Sequence, residues 1–244
     1  MMPENKKPAV SAAETSLRVS QLTKTFHLHT QGGTVLPVLS GLDLDLYPGE
    51  CVALFGPSGA GKSSLMRTIY GNYKASSGSI SIRHDGRLVD IANAEPRVVM
   101  DVRRRTLGYV SQFLRVIPRV STLDIVMEPL LVNGVDFEEA ADRAKTMLTR
   151  LRIPERLWSI APATFSGGEQ QRVNLAHGFI SDYPIMMLDE PTASLDAENR
   201  DTVIQLICEA RDRGAALLGI FHDEAVRDRV ADRVFVMPLL EAAA

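Results

Sequence analysis

The chain contains little cysteine, no long apolar run and no excess of basic charge. Its 244 residues include two cysteines, Cys51 in a predicted strand and Cys208 in a predicted helix, and both are expected to be buried as small hydrophobic residues. That usage fits a reducing, cytoplasmic compartment. No apolar run approaches the roughly 18–20 residues that cross a bilayer, so at a membrane another chain would do the spanning. The net charge of −3 offers no basic field to nucleic acid or anionic lipid.

The remaining composition is that of an ordinary globular protein, with 45% apolar and 23% charged residues. The length allows one large α/β domain, or a core with a small appended lobe. The charged start Met1–Pro8 is not followed by an apolar stretch. It therefore predicts a disordered lead-in over residues 1–15 in place of a signal peptide, and a single folded domain over residues 16–244.

A glycine-rich octapeptide matches the phosphate-loop pattern G-x-x-x-x-G-K-[ST]. A predicted strand, Glu50–Phe55, precedes it and a predicted helix, Ser63–Tyr70, follows, which is the context that the pattern requires. The glycines let the backbone wrap closely around an anion that the helix N-terminus faces. Lys62 is predicted to reach the β- and γ-phosphates, and the Ser63 hydroxyl to ligate Mg²⁺. The predicted phosphate-binding residues are Gly56, Pro57, Ser58, Gly59, Ala60, Gly61, Lys62, Ser63 and Ser64.

Two alternating segments before this loop predict an antiparallel sheet with one solvated face. Residues Leu17–Leu22 alternate, and in Leu42–Leu46 the leucines point one way while the aspartates point the other. His27 and His29 share one strand face, but no third ligand lies nearby in the sequence. Solvated histidines are therefore the favoured interpretation there, and a metal site is the alternative.

After the loop, strands alternate with helices, which predicts a parallel sheet. This alternation is interrupted between residues 113 and 164, where strand signals vanish. Helices are predicted there over Asp124–Leu131, Asp136–Leu151 and Pro154–Ile160. We therefore expect residues 113–164 to form a small helical lobe.

Four polar residues are predicted to follow strands of the parallel sheet. Asp189 and Glu190 end the apolar strand Ile185–Leu188, at the edge where ligands of open α/β folds bind. Asp189 can hold Mg²⁺, and Glu190 can orient or deprotonate a water molecule that attacks the γ-phosphate of a bound nucleotide. His222 is suited to contact the γ-phosphate or the water, and Gln112 to lie close to the phosphate and Mg²⁺. An incidental polar residue at a strand end is the alternative interpretation for each.

The segment Ser166–Gln170 is a second glycine-rich helix start and hence a second potential anion site. It lies about 100 residues beyond the first loop, across the predicted helical lobe. It is therefore hard for both segments of one chain to reach the same phosphate. A second copy of the chain, placed head-to-tail, would bring them together.

In this order, six motifs resemble those of ATP-binding cassette (ABC) ATPases across residues 16–238: Gly56–Ser63, Gln112, Ser166–Gln170, Leu188–Pro191, Ser194–Asp196 and His222. The resemblance implies an α/β fold, with an ABC-type P-loop NTPase core, an antiparallel β subdomain and a helical subdomain. It also implies ATP and Mg²⁺ as ligands and a sandwich homodimer, with Phe26 stacking on adenine. The glycine loop of one copy would face the second glycine-rich segment of the other copy, which comprises Ser166, Gly167, Gly168, Glu169 and Gln170. Phe165 and Glu169 stand where Leu and Gln are usual, and they leave the serine and glycines in place.

Three stretches resemble, more narrowly, the L subunit of the bacterial phosphonate carbon–phosphorus lyase system: Gly108–Val120, Ala176–Ile180 and Gly219–Glu224. This resemblance implies a cytoplasmic ATPase subunit that supports formation of a ribose 1-phosphonate 5-triphosphate. Its partners would be other subunits of the lyase complex, including a second ABC protein. We predict that Arg115 and Arg119 lie at a partner contact, with a solvated basic turn as the alternative.

The general motifs fit a second function equally well, the motor subunit of a membrane transporter of the lipoprotein-release or macrolide-export type. A third class, a nucleic-acid-associated cassette ATPase, lacks support from the charge or from a long coiled-coil insert. The expected chemistry is in-line attack of water on the γ-phosphate. Lys62, Mg²⁺ and the opposing Ser166 helix start would stabilise the developing charge.

Overall fold

The computed structural model describes residues 15–28, 33–114 and 119–238. Within these residues the elements follow in the order β1 (Leu17–Leu28), β2 (Thr34–Leu46), β3 (Cys51–Phe55), α1 (Lys62–Ile69), β4 (Ser77–His84), β5 (Arg87–Asp90), α2 (Pro96–Arg105), β6 (Leu107–Val110), α3 (Thr122–Val132), α4 (Phe137–Arg150), α5 (Gly167–Phe179), β7 (Ile185–Asp189), α6 (Ala197–Asp212), β8 (Ala216–Ile220), α7 (Glu224–Val230) and β9 (Arg233–Val236).

Some sequence predictions fall on residues outside these ranges. They concern residues 1–14 of the lead-in, His29 and Arg115. Thr15, the last residue of the predicted lead-in, is described and is buried. Arg119 is exposed and has a φ of 66°, so its backbone is left-handed.

An antiparallel sheet is formed by β1, β2, β4 and β5, in the order β2–β1–β4–β5. Its buried face is the apolar face that the alternation predicts, because Leu17 pairs with Leu46 and Val19 pairs with Leu44. Asp43, on the opposite face of β2, is exposed. The prediction of an antiparallel sheet with one solvated face is confirmed, although β1 and β2 are longer than predicted.

A parallel sheet is formed by β3 and β6 to β9, in the order β6–β7–β8–β3–β9. Its central strands β7 and β8 are buried throughout, as expected for parallel strands covered on both faces. Side chains of α3 to α7 pack on one face, and side chains of α1 and the antiparallel sheet pack on the other. This arrangement confirms the predicted α/β fold class.

The carboxyl ends of four neighbouring strands lie along one edge of this sheet. Strand β3 leads into the glycine loop, and β7 ends at Asp189. Gln112 comes shortly after β6, and His222 shortly after β8. The strand order therefore brings residues that lie far apart in the sequence to one edge.

Residues between β6 and α5 fold as helices α3 and α4, with Ser121 and Asp136 as their N-caps. The third predicted helix, Pro154–Ile160, is wrong, because only a single 3₁₀ turn forms, at Glu155–Leu157. The carbonyl groups of this segment instead accept hydrogen bonds from amide groups at the start of α3. The Leu123 amide bonds to the Trp158 carbonyl at 2.9 Å, and the Thr122 amide to that of Ile160 at 3.0 Å. Among the described residues, no helix is both long and apolar enough to cross a membrane.

Candidate nucleotide site

The glycine loop between β3 and α1 adopts a backbone conformation that favours glycine. Gly59 and Gly61 have φ values of 83° and 85°. A Cβ on Gly61 would lie 2.9 Å from the carbonyl oxygen of Val38 in β2, so the antiparallel sheet backs the loop directly. Helix α1 has no acidic residue in its first turn. Its N-terminus therefore presents uncompensated amide dipoles, which attract an anion.

Lys62, the first residue of α1, folds back over the loop. Its Nζ donates hydrogen bonds to the carbonyl oxygens of Gly56 and Pro57, at 2.7 and 2.9 Å. The ammonium group is thereby held beside the loop backbone. Pro57, Ser58 and Gly59 are exposed, so a ligand from solvent can reach this part of the loop.

Asp189 lies at the end of β7 with only 1% of its surface exposed. Each of its carboxylate oxygens has its own partner. The Ser63 hydroxyl donates to Oδ1 at 3.4 Å, and the Tyr109 hydroxyl donates to Oδ2 at 3.1 Å. Burial raises the pKa of Asp189, and the bond from Tyr109 opposes that rise. The loop helix and the strand end thus meet at one pair of oxygen atoms, as the sequence predicts.

Glu190 is the meeting point of the other predicted catalytic residues. Gln112 Nε2 donates to Glu190 Oε2 at 3.2 Å, and His222 Nε2 lies 2.7 Å from Glu190 Oε1. Glu190 has a φ of 54°, in the left-handed region that residues with a Cβ rarely adopt. The Glu190 side chain is 21% exposed whereas Asp189 is buried, so a water molecule at the sheet edge can reach the Glu190 carboxylate.

The second glycine segment opens α5 with a reciprocal capping box. The Ser166 side chain accepts from the Glu169 amide, and the Glu169 carboxylate accepts from the Ser166 amide at 2.9 Å and from its hydroxyl at 2.7 Å. These bonds from Ser166 lower the pKa of Glu169. A Cβ on Gly167 would meet nothing within 4 Å, whereas one on Gly168 would lie 3.2 Å from the Ser194 carbonyl oxygen. The side-chain amide of Gln170 donates to the Phe165 carbonyl oxygen, a bond within the segment itself.

Phe26 lies in β1 and is half-buried. Its ring meets that of Tyr73 edge-on, with centroids 5.1 Å apart. The Lys24 ammonium lies 4.5 Å from the centroid of the Phe26 ring. The stacking of adenine on Phe26 stays a prediction.

Sequence reasoning missed two features of this site, the contact of Tyr109 with Asp189 and the left-handed backbone of Glu190. Tyr109 belongs to an apolar strand, and Asp189 follows 80 positions later. Only the adjacency of β6 and β7 brings the two side chains together. A signal was nevertheless available, because a tyrosine in an otherwise apolar buried strand requires a partner for its hydroxyl.

Comparison with known proteins identifies the fold that carries this site. A family model described as ABC transporter matches residues 39–193. The chain belongs to the ABC transporter family. Solved ABC structures are also similar to it: the dimeric structure of MJ0796, a bacterial ABC transporter cassette, gives a TM-score of 0.82 at 27% identity, over 91% of this chain and 94% of that one. A dimeric post-hydrolysis state of the ATP-binding cassette MJ0796, bound to ADP and Pi, gives 0.81 at 28% identity, with the same shares covered.

The relatives of this ABC chain include transporter proteins. The lipoprotein-releasing system ATP-binding protein LolD of Maricaulis maris is 38% identical over 82% of this chain and 85% of that protein. LolD of Legionella pneumophila is 34% identical over 91% and 94%. The macrolide export ATP-binding/permease protein MacB of Marinobacter nauticus is 34% identical over 86% of this chain and 31% of that protein. The predicted ABC ATPase class and ATP as its ligand are confirmed, since ATP-binding proteins of this family cover most of the chain.

The assignment to the phosphonate carbon–phosphorus lyase system is wrong, because these relatives are lipoprotein-releasing and macrolide export proteins. The structure explains the error. Gly108, Gly178 and Gly219 occur in the stretches that carried the narrower resemblance, and a Cβ on any of them would lie 2.4–2.6 Å from a neighbouring side chain. Packing inside the fold therefore fixes these residues, and they carry no information about a partner. Residues 115–118 of the first stretch lie outside the described residues.

Proposed function

We propose that this chain is the ATP-hydrolysing subunit of a membrane ABC transporter of the lipoprotein-release or macrolide-export type. The observation that carries the proposal is the convergence of Gln112 and His222 on the Glu190 carboxylate, beside Asp189 and the glycine loop. A carboxylate held by two neighbours at a sheet edge has the geometry of a general base. The names and the coverage of the relatives support the transporter class.

The donor set of the site fits Mg²⁺. The hydroxyl of Ser63 and the carboxylate of Asp189 are both oxygen ligands, which this cation prefers, and they are already in contact. Gln112 uses its amide nitrogen on Glu190, so its carbonyl oxygen is the atom left to face a cation. Bound Mg²⁺ would neutralise part of the phosphate charge.

The groups of the chain itself then have separate tasks. The loop amides and the N-terminus of α1 hold the phosphates, and Lys62 adds a positive charge beside them. Glu190 accepts the proton of the attacking water. His222 donates from Nε2 and Gln112 from its amide, and the two bonds fix the rotamer of the Glu190 carboxylate. Positioning and charge stabilisation dominate phosphoryl transfer, so this rigidity matters for the rate.

We also propose that two copies close around the nucleotide, head-to-tail. The Ser166 segment of one copy would cover the γ-phosphate held by the loop of the other. Gly167 is exposed and nothing lies within 4 Å of its Cβ position, so another copy has room to approach this segment. The dimeric form of MJ0796 supports this arrangement.

Cysteine crosslinking tests the pairing. Ser58→Cys and Gly167→Cys place thiols on the two exposed segments, and they should link two chains when ATP is trapped by Glu190→Gln. The native Cys51 is a quiet background, since burial raises the pKa of its thiol to about 12. Cys208 is half-buried, not buried as the sequence predicts, and is replaced by Ser in all variants. Each single-cysteine variant serves as a control. Absence of a crosslinked dimer with trapped ATP would refute the head-to-tail arrangement.

A second experiment tests the transporter partner. We expect that the tagged chain, solubilised from membranes of its own organism in mild detergent, retains a protein with several membrane-spanning helices. Partner identification by mass spectrometry reads out the result. Recovery of the chain with water-soluble enzymes alone, and no permease, would contradict the transporter class.

A further inference from the structure

Tyr109 reaches the site from a neighbouring strand, and the sheet geometry explains how. In the register of β6 and β7, Tyr109 lies beside Met187, two residues before Asp189. Met187 and Asp189 point to the same face of the sheet because side chains alternate along a strand. A residue two positions further along a parallel neighbouring strand is roughly 8 Å away, which a long aromatic side chain can span. The Tyr109 hydroxyl completes the span and donates to Asp189 Oδ2 at 3.1 Å.

The phenol ring of Tyr109 is itself held from the side of α1. The ring of Tyr70 lies 4.9 Å away, centroid to centroid, at an angle of 46°. A carboxylate can only accept, so the Tyr109 hydroxyl is the donor in its bond to Asp189. An immobile donor of this kind fixes the plane of the carboxylate that accepts from it.

We propose that Tyr109 is a positioning residue for the magnesium ligand. Its hydroxyl holds Oδ2 of Asp189, and the other oxygen, Oδ1, is thereby directed at Ser63. This inference rests on the proposed function, because it assumes that Asp189 and Ser63 hold the cation of bound ATP. A phenylalanine at position 109 would keep the ring and leave a carboxylate that is 1% exposed with one fewer donor.

The test is Tyr109→Phe in the full chain, measured as binding and not as turnover. The Glu190→Gln background suppresses hydrolysis, and a fluorescent ATP analogue reports nucleotide binding while free Mg²⁺ is varied. We expect a rise of about tenfold or more in the Mg²⁺ concentration that gives its half-maximal effect on analogue binding. A loss of this size is usual when a hydrogen-bond partner of a metal ligand is removed. Binding of the analogue in EDTA should stay unchanged.

Tyr183→Phe is the matched control, because Tyr183 is also a half-buried tyrosine that packs against β6, on the side of Gly108. This control should leave the Mg²⁺ dependence as in the parent chain. If Tyr109→Phe fails to fold, 4-aminophenylalanine and 4-fluorophenylalanine at Tyr109 make the same comparison. The amino group retains a donor and the fluorine does not.

The outcomes separate the inference from the function on which it rests. A parent chain whose nucleotide binding ignores Mg²⁺ would overturn the proposed magnesium site and, with it, the role of Tyr109. A parent chain that responds to Mg²⁺, with an identical response in Tyr109→Phe, would overturn the positioning role alone. An equal shift in Tyr183→Phe would also overturn it, since the effect would then belong to buried hydroxyl groups in general.

Discussion

Replacing Glu190 by Gln should nearly abolish ATP turnover while leaving the fold and nucleotide binding intact. The introduced side-chain amide can still accept from the Gln112 amide through its oxygen, and its NH₂ group can donate to Nε2 of His222 in the other tautomer, so the Gln112 carbonyl oxygen keeps its place. The left-handed backbone costs the same for both side chains, because both carry a Cβ. We therefore expect the free energy of unfolding to change by less than about 1 kcal/mol.

The loss in rate follows from removing the proton acceptor. General-base catalysis contributes about 10²–10⁴-fold, which corresponds to about 3–5 kcal/mol of activation free energy. Steady-state phosphate release measures this loss, and size-exclusion chromatography with ATP should show an accumulated dimer. Glu224→Gln is the control, since that acid starts α7 close to His222 and its side chain is 78% exposed. Turnover of Glu190→Gln within a few-fold of the parent chain would refute the assignment of Glu190 as the base.

Three further perturbations test other parts of the structure. Glu169→Gln should lower the ATP concentration for half-maximal dimer formation by about fivefold, because removing a charge beside phosphate relieves ~1 kcal/mol of repulsion. The control Glu138→Gln on α4 should leave that concentration unchanged, and equal values for the two variants would contradict the prediction. Gly178→Ala places a Cβ 2.4 Å from a valine methyl of β6 and should destabilise the fold by about 1–3 kcal/mol in urea unfolding; an unchanged midpoint would show that the site relaxes freely. The pKa of Asp101 is lowered from 3.8 to about 2, mainly by a hydrogen bond from Arg105. The ionised Asp101 therefore stabilises the folded state fully above pH 3.8, and this contribution disappears as the pH falls toward 2. In Arg105→Gln the loss of stability between pH 5 and pH 2 should be smaller, and an identical pH dependence of the urea midpoint would contradict that account.

Local signals in the sequence predict most of the elements and the two glycine segments. The strand predicted at Glu50–Phe55 forms over Cys51–Phe55, and the helix predicted at Asp136–Leu151 forms over Phe137–Arg150 with Asp136 as its N-cap. Such features depend on residues within one turn or one strand, so a single sequence reveals them. The strand ends at Asp189 and His222 also follow from apolar runs that stop abruptly.

Features that depend on distant parts of the chain could not be predicted in this way. The segment Pro154–Ile160 has helical spacing, yet the amide groups of Thr122 and Leu123 take its carbonyl groups. The bond between Tyr109 and Asp189 depends on which strands are neighbours. The subfamily assignment is wrong for a related reason, since the stretches that carry the resemblance include residues such as Gly178, which packing inside the fold fixes.

The contacts between Thr122 and Ile160 close the base of the segment that carries α3 and α4. The Thr122 amide and hydroxyl both bond to the Ile160 carbonyl oxygen, at 3.0 and 2.8 Å. Helices α3 and α4 lie between these two anchors and bury their apolar faces in the core, so their exposed surfaces can change while the anchors and the packing stay as they are. Such a closed base gives evolution, or an engineer, a place to graft a new recognition surface onto an unaltered hydrolytic machine.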